Sequence, residues 1–223
     1  MLLFVAAEAR EFAGLLPHCC DIKSLALPVN WAREAILNET LILMIANGAG
    51  ASQAAKAVEA APDAHAIVST GFCGAVDPDL HIGDIFVASE IQNLPVRLPE
   101  TSRRYARGTL ASIDHVAQTA LEKSKLRATG AAAVEMEAAG VAARAEARGL
   151  PFFCVRSVTD LAGETFANDL NAALRPNGQF DTMQILRSAI RHPLARLPEL
   201  MRLRQRCEIA ARNLGAFLAD CRF

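Results

Sequence analysis

AAAVEMEAAGVAARAEARGLPFFCVRSVTD, residues 131–160, carries the pattern that decides the fold. Residues 131–148 are Ala-rich, hold no Pro and are followed by Gly149, which predicts a helix with a glycine stop. Residues 151–158, PFFCVRSV, form a short apolar run with β-branched and aromatic members, the mark of a strand buried on both faces. Asp160 falls just past that strand, where open α/β sheets place groups that meet ligands. Glu135 and Glu137 flank Met136 at the start of the predicted helix. Two acids around a Met, beside an acid at a strand end, exceed what a hydrophobic core requires.

Working outward, strand and helix alternate. Residues 2–7 read as a buried strand and 8–16 as a helix stopped by Pro17. Glu8 and Glu11 in its first turn suit the helix dipole, or one of them points into a site at the strand end. Residues 20–40 are less regular, with Trp31 as a packing residue, and 40–46, TLILMIA, are a strand. Gly48 and Gly50 then open an Ala-rich helix; a third glycine of the dinucleotide fingerprint is missing, and a plain tight turn fits equally well. The strand at 64–70 runs into TGFCG, where Gly71 and Gly74 bracket Phe72 and Cys73 and expose backbone N–H groups suited to an anion or a sugar. Asp77-Pro78-Asp79 is a turn, and a strand follows at 85–88. Residues 92–107, with Arg97, Arg103, Arg104 and Arg107, read as a solvated loop over the sheet edge. A strand at 109–113 and a helix at 116–128 precede the opening stretch; 163–177, with Asn168 and Asp169, is loop-rich, and 182–223 is helical, broken by Pro193 and Pro198. The sum is an α/β fold of three layers, α/β/α, with a mixed, twisted central sheet. One domain spans residues 1–223, with a helical C-terminal extension over about 181–223.

A net charge of −1 gives no global case for nucleic acid, although residues 187–222 hold eight Arg against three acids, Glu199, Glu208 and Asp220. Six Cys without a CxxC pair or a His at ligand spacing argue against zinc; Cys73 and Cys154 sit in apolar runs as small hydrophobes, and a reducing cytoplasm is expected. The start MLLFVAAEAREF has no basic leader, and no stretch approaches the roughly 20 apolar residues of a membrane span.

Three motifs occur in order: TGFCG with a downstream Gly83-Asp84, VEME at 134–137, and RSVTD at 156–160. Together they resemble the nucleoside phosphorylase and nucleosidase superfamily, in its 5′-methylthioadenosine/S-adenosylhomocysteine nucleosidase branch, across nearly the whole chain to about residue 177. LRATGAAAVEME and the tail from ALRPNGQFDTMQ onward resemble the hopanoid-associated phosphorylase subgroup. The resemblance implies cleavage of the N-glycosidic bond of a 5′-substituted adenine nucleoside, adenosylhopane in hopanoid biosynthesis, by hydrolysis or phosphorolysis. A methylthioadenosine/S-adenosylhomocysteine nucleosidase and a nucleoside-binding protein that lost turnover are the alternatives.

By the same resemblance Asp160 shares a proton with purine N7, Glu137 binds the ribose hydroxyls, Met136 packs on the sugar, and Glu11 or Glu8 activates water. Glu135, Gly71, Phe72, Cys73, Gly74 and Ser157 complete the substrate-binding set. A general acid needs an environment that holds its proton, and a fixed carboxylate under the ribose favours a cationic transition state. Arg156 inside a buried strand requires a partner, Glu135 or Glu137. Phosphorylases of the superfamily often carry an Arg before the glycine loop; here Ser69 and Thr70 stand there, which tilts the reaction towards water. No cofactor is implied, only phosphate as a co-substrate if phosphorolysis holds. A homodimer is expected, with peripheral membrane contact of the basic C-terminal helices as a further expectation.

Overall fold

The computed structural model describes residues 1–92 and 94–223; Asn93, inside the loop expected at 92–107, lies outside the described residues. Among the described residues there are ten strands: β1 Leu2–Ala6, β2 Cys20–Ser24, β3 Trp31–Leu37, β4 Thr40–Ala46, β5 Ala66–Ala75, β6 Ile85–Ile91, β7 Leu94–Pro95, β8 Ala106–Ser112, β9 Ala131–Glu135 and β10 Phe152–Asp160. The α-helices are α1 Ala51–Ala60, α2 Ala120–Ala128, α3 Ala138–Ala147, α4 Leu170–Ala173, α5 Thr182–Arg191 and α6 Pro193–Ala219.

The strands form one mixed sheet in the order β2-β3-β4-β1-β5-β9-β8-β6-β10, and β10 pairs back onto β5. That last pairing closes β5, β9, β8, β6 and β10 into a small barrel. Side chains alternate across the sheet as the pleat demands. Leu3 and Val5 of β1 face α1 and α3, with Ala54, Ala57, Val58, Val141 and Ala145. Phe4 and Ala6 face α6, packing with Leu214, Phe217 and Leu218. Each of those large α6 side chains contributes about 1.5–3 kcal/mol through burial, so the second half of α6 is part of the core. A third cluster, Cys73, Phe86, Leu110, Ala133, Cys154 and Val158, fills the barrel. Its two Cys act as neutral, buried groups: burial raises both thiols, that of Cys154 to about 12.

Several local expectations are corrected. Residues 131–135 are a strand, β9, held parallel to β8 and antiparallel to β5, and the helix begins only at Ala138. Ladder pairing on both sides overrides the helix propensity of the alanines. Residues 20–40 hold the antiparallel pair β2 and β3. Residues 8–16 do not form one helix; 3₁₀ turns at Ala9–Phe12 and Leu16–His18 close through hydrogen bonds such as Glu11 N–H to Glu8 O, 3.0 Å. The expected 116–128 helix starts at Ala120, where the Thr119 hydroxyl caps Glu122 N–H at 3.1 Å. Asp160 is the last residue of β10 rather than beyond it. Pro193 opens α6, and Pro198 lies within it without breaking it. The carbonyl that Pro198 leaves unpaired belongs to Leu194, which is 95% exposed and open to water.

Candidate active site

Parallel strands β1, β4, β5 and β10 bring their C-terminal ends to one side of the sheet. A cavity of about 860 Å³ opens there, walled on its far side by α5 and α6. Of the residues expected to act on substrate, Glu8, Glu11, Phe72, Cys73, Gly74, Glu135, Met136, Glu137 and Asp160 line it. Ser157 does not: it is fully buried within β10, and its hydroxyl has no hydrogen-bond partner. Gly71 also stands behind the wall, with a different task.

Gly71 has φ +137°, and a Cβ there would run into Glu11 Oε1. The glycine leaves room for the Glu11 carboxylate, which accepts the Phe72 N–H at 2.8 Å and the Glu8 N–H at 2.7 Å. Glu8, the other candidate from the first turn, is turned to Arg10 and is about one-third exposed. Gly74 makes room in the same way for Asp160, whose Oδ1 would lie 2.7 Å from an added Cβ. Both glycines of TGFCG are therefore explained by a carboxylate packed on the strand. Gly74→Ala is expected to displace Asp160 and lower turnover at least 10-fold while leaving the thermal midpoint within a few degrees; unchanged kinetics would refute this tie between the glycine and the acid.

Around Arg156 the carboxyl groups crowd. The guanidinium is wholly buried and pairs through Nη2 with Glu135 Oε2 at 2.5 Å and with Ser69 Oγ at 2.8 Å. Glu135 also accepts the N–H groups of Glu137 and Ala138, each at 2.9 Å, at the start of α3. Its oxygens are thereby occupied by structure. Glu137 accepts the Gly50 N–H at 2.9 Å, which joins the Gly48–Gly50 turn to the site. Burial first, and then the charge of Glu135, push the Glu137 carboxyl up to about 8; burial likewise raises Glu11.

The folded state thus holds the Glu137 proton more tightly than the unfolded chain, whose ordinary value is 4.5. That contribution to stability is fully present below about pH 4.5 and is lost as the pH rises through about 8. Glu137→Gln, which cannot ionise, is expected to flatten the fall in stability between those values; denaturant melts at pH 5 and pH 9 check it, and equal slopes in both proteins would refute it.

Asp160 is held from behind by Lys123, which is wholly buried; Lys123 Nζ binds Asp160 Oδ1 and the Leu161 carbonyl at 2.8 Å. The Phe166 ring lies 5.7 Å from Nζ and lines the cavity. The sequence reading missed both, together with the apolar wall of Phe180, Ile185, Leu186, Leu200 and Leu203. No local pattern marked Lys123: in the fold Leu121 is 67% exposed and the lysine is the buried residue of α2. His115, at the rim, is raised by its bonds to Asp114 and Glu122. The Arg-rich loop contributes no described residue to the cavity; it packs on the sheet edge, where Arg97 bridges to Phe153 and Glu100 to Arg222.

A family model described as Phosphorylase superfamily matches residues 32–102 and 97–191. The chain belongs to the Phosphorylase superfamily and so to the enzymes that split glycosidic bonds. It is 24% identical over 196 residues to a 5′-methylthioadenosine/S-adenosylhomocysteine nucleosidase of Glaesserella parasuis serovar 5, covering 71% of this chain and 84% of the relative. Among solved structures, the 5′-methylthioadenosine/S-adenosylhomocysteine nucleosidase of S. pneumoniae superposes with a TM-score of 0.73 at 16% identity, over 98% of this chain and 96% of the other. A futalosine hydrolase mutant of Helicobacter pylori gives 0.70 at 18% identity, over 98% and 96%. At these identities the likeness establishes the fold.

Proposed function

We propose that the protein hydrolyses the N-glycosidic bond of a 5′-substituted adenine nucleoside. The observation that carries this is the meeting of Glu11, Glu137 and Asp160, from three distant parts of the chain, in one cavity. In this reading Asp160 gives a proton to the leaving base, Glu137 and Met136 hold the ribose, and Glu11 takes a proton from attacking water. Buried carboxyls outnumber Arg156, so a cationic ribosyl transition state would relieve their repulsion as it forms. Water is favoured over phosphate because the Glu11 carboxylate takes the Phe72 N–H that an anion would need.

The apolar wall supports a large apolar 5′ group, and adenosylhopane, in hopanoid biosynthesis, is the proposed substrate. Relatives named as methylthioadenosine/S-adenosylhomocysteine nucleosidases favour the smaller substrates as the second reading. Adenosines bearing 5′-methylthio, 5′-homocysteinyl and long-alkyl groups, assayed with and without phosphate, decide it. Free adenine and free sugar at phosphate-independent rates are expected, with the highest kcat/KM for the long-alkyl group. Ribose 1-phosphate would overturn hydrolysis, and preference for methylthio would overturn the apolar substrate.

The proposal includes a homodimer, supported by exposed Met183, Leu186, Ile190, Leu194 and Met201 on α5 and α6 beside the cavity mouth. Light scattering at micromolar concentration checks it; a monomer that co-floats with anionic vesicles would assign this face to a lipid surface instead.

A further inference from the structure

Helix α2 is built inside out at one position. Leu121 is 67% exposed, while Lys123, two residues on, is the buried residue of the helix, with no exposed surface. Burying an ammonium costs several kcal/mol unless partners answer for it. An apolar residue at that position would pack against β9 without this cost. The partners explain the choice: Asp160 Oδ1, the Leu161 carbonyl at 2.8 Å, and the face of Phe166, 5.7 Å from Nζ to the ring centre. Asp160 is the acid that reaches the cavity, and its other oxygen, Oδ2, lies 3.2 Å from the Thr159 hydroxyl. Lys123 does not line the cavity itself. A buried cation whose one charged partner, among the described residues, is the acid at a cavity wall marks a functional pair.

We infer that Lys123 is a positioning residue and proton reservoir for Asp160, an inference that rests on the hydrolytic function proposed above. As the C1′–N9 bond breaks, its electron pair goes to N9 of the base. Purine N7 takes a proton from Asp160, and Asp160 takes one from Lys123 Nζ, which becomes a neutral amine. The ribosyl cation captures water, whose O–H bond opens to Glu11; Glu11 gives that proton up to solvent, and the amine takes one back through Asp160, which restores the ammonium. Atoms and charges balance as nucleoside plus water giving sugar plus adenine. Held on Oδ1 by Nζ, the carboxyl turns Oδ2, beside the Thr159 hydroxyl, towards the base.

The test compares leaving groups. Adenine must be protonated to depart, whereas 4-nitrophenolate departs without help, so a 4-nitrophenyl β-riboside bypasses the acid but uses the same ribose site. With wild-type enzyme releasing adenine, Lys123→Met is expected to lose about 100-fold in kcat on the adenosine substrate, the range of a positioned proton donor. Its KM should stay within about 3-fold of wild type, and turnover of the nitrophenyl riboside should stay within about 3-fold as well. Lys123→Arg, which keeps the cation but cannot give up its proton, should stay at least 10-fold below wild type on the adenosine substrate, and full recovery by arginine would overturn the reservoir role. If Lys123→Met does not fold, Lys123→Gln enters the same comparison. Equal losses on both substrates mean a purely structural lysine and overturn the inference, as does undiminished adenine release. Failure of the wild-type enzyme to release adenine overturns the proposed function itself and takes this inference with it.

Discussion

Asp160→Asn is expected to reduce adenine release about 1,000-fold in kcat, within the 10²–10⁴ range of general acid catalysis, with little change in KM. An amide keeps an acceptor for Lys123 Nζ and the shape of the side chain, but it has no proton to give to the base. Stability should fall too. The substitution leaves the Lys123 ammonium buried without a counter-charge, and breaking a buried pair from one side costs on the order of 3 kcal/mol. For a chain of 223 residues that is roughly 6–12 °C in Tm. The double variant Asp160→Asn, Lys123→Met should regain most of that stability and none of the activity, because it removes the stranded charge without restoring a proton donor. Adenine release and melting curves on the three variants check both halves. Turnover retained in Asp160→Asn would remove Asp160 from the mechanism.

How much of this was legible in the chain differs by element. The strands flanking the site could be read because β1, β4, β5 and β10 are buried on both faces and spell near-continuous apolar runs. The acids were legible because Glu137 and Asp160 stand at element ends next to such runs. Residues 131–135 misled because alanine carries no strand signal; what makes them a strand is the presence of β8 and β5 on either side, which no local pattern records. Barrel closure has the same origin, since the β10–β5 pairing joins residues 67–74 to 152–160.

The site was half legible for a related reason. Lys123 sits in ALEKSKLRA, where Lys125 and Arg127 look the same and face solvent. Only the turn of α2 against β9 selects one of them. Phe166 lies in a loop-rich segment that local rules describe as surface. It is carried to the cavity because Glu199, from α6, accepts the N–H groups of Ala167 and Asn168 at 2.7 and 2.8 Å and fixes the loop. The choice between Glu8 and Glu11 was open in the sequence because both fall in one turn. The structure separates them by burial, and a buried carboxylate at 2.8 Å from the Phe72 N–H is the better placed for a water at the ribose.

Arg156→Met should have the largest effect on stability, about 3–5 kcal/mol, because Glu135 would keep its charge in the core without the guanidinium. The backbone N–H groups of Glu137 and Ala138 would still hold Glu135, so the chain is expected to fold with Tm lowered by about 10 °C. Glu135→Gln, Arg156→Met removes both charges and should recover at least half of the loss; strict additivity of the two single changes would show that the pair is not coupled. Activity should follow a different course. Arg156 is one of the groups that hold the Glu137 carboxyl down at about 8 against burial and the charge of Glu135. Without Arg156, Glu137 stays protonated to higher pH, and a neutral carboxyl gives less support to a cationic sugar. Arg156→Met alone is therefore expected to be slower than wild type at neutral pH, with part of its kcat returning as the pH is raised until Glu137 ionises, whereas the double variant, which also removes the Glu135 charge that raises Glu137, should show no such upward shift. Wild-type activity and pH dependence in Arg156→Met would mean that Arg156 serves the fold alone and that the charge balance around Glu137 plays no part in cleavage.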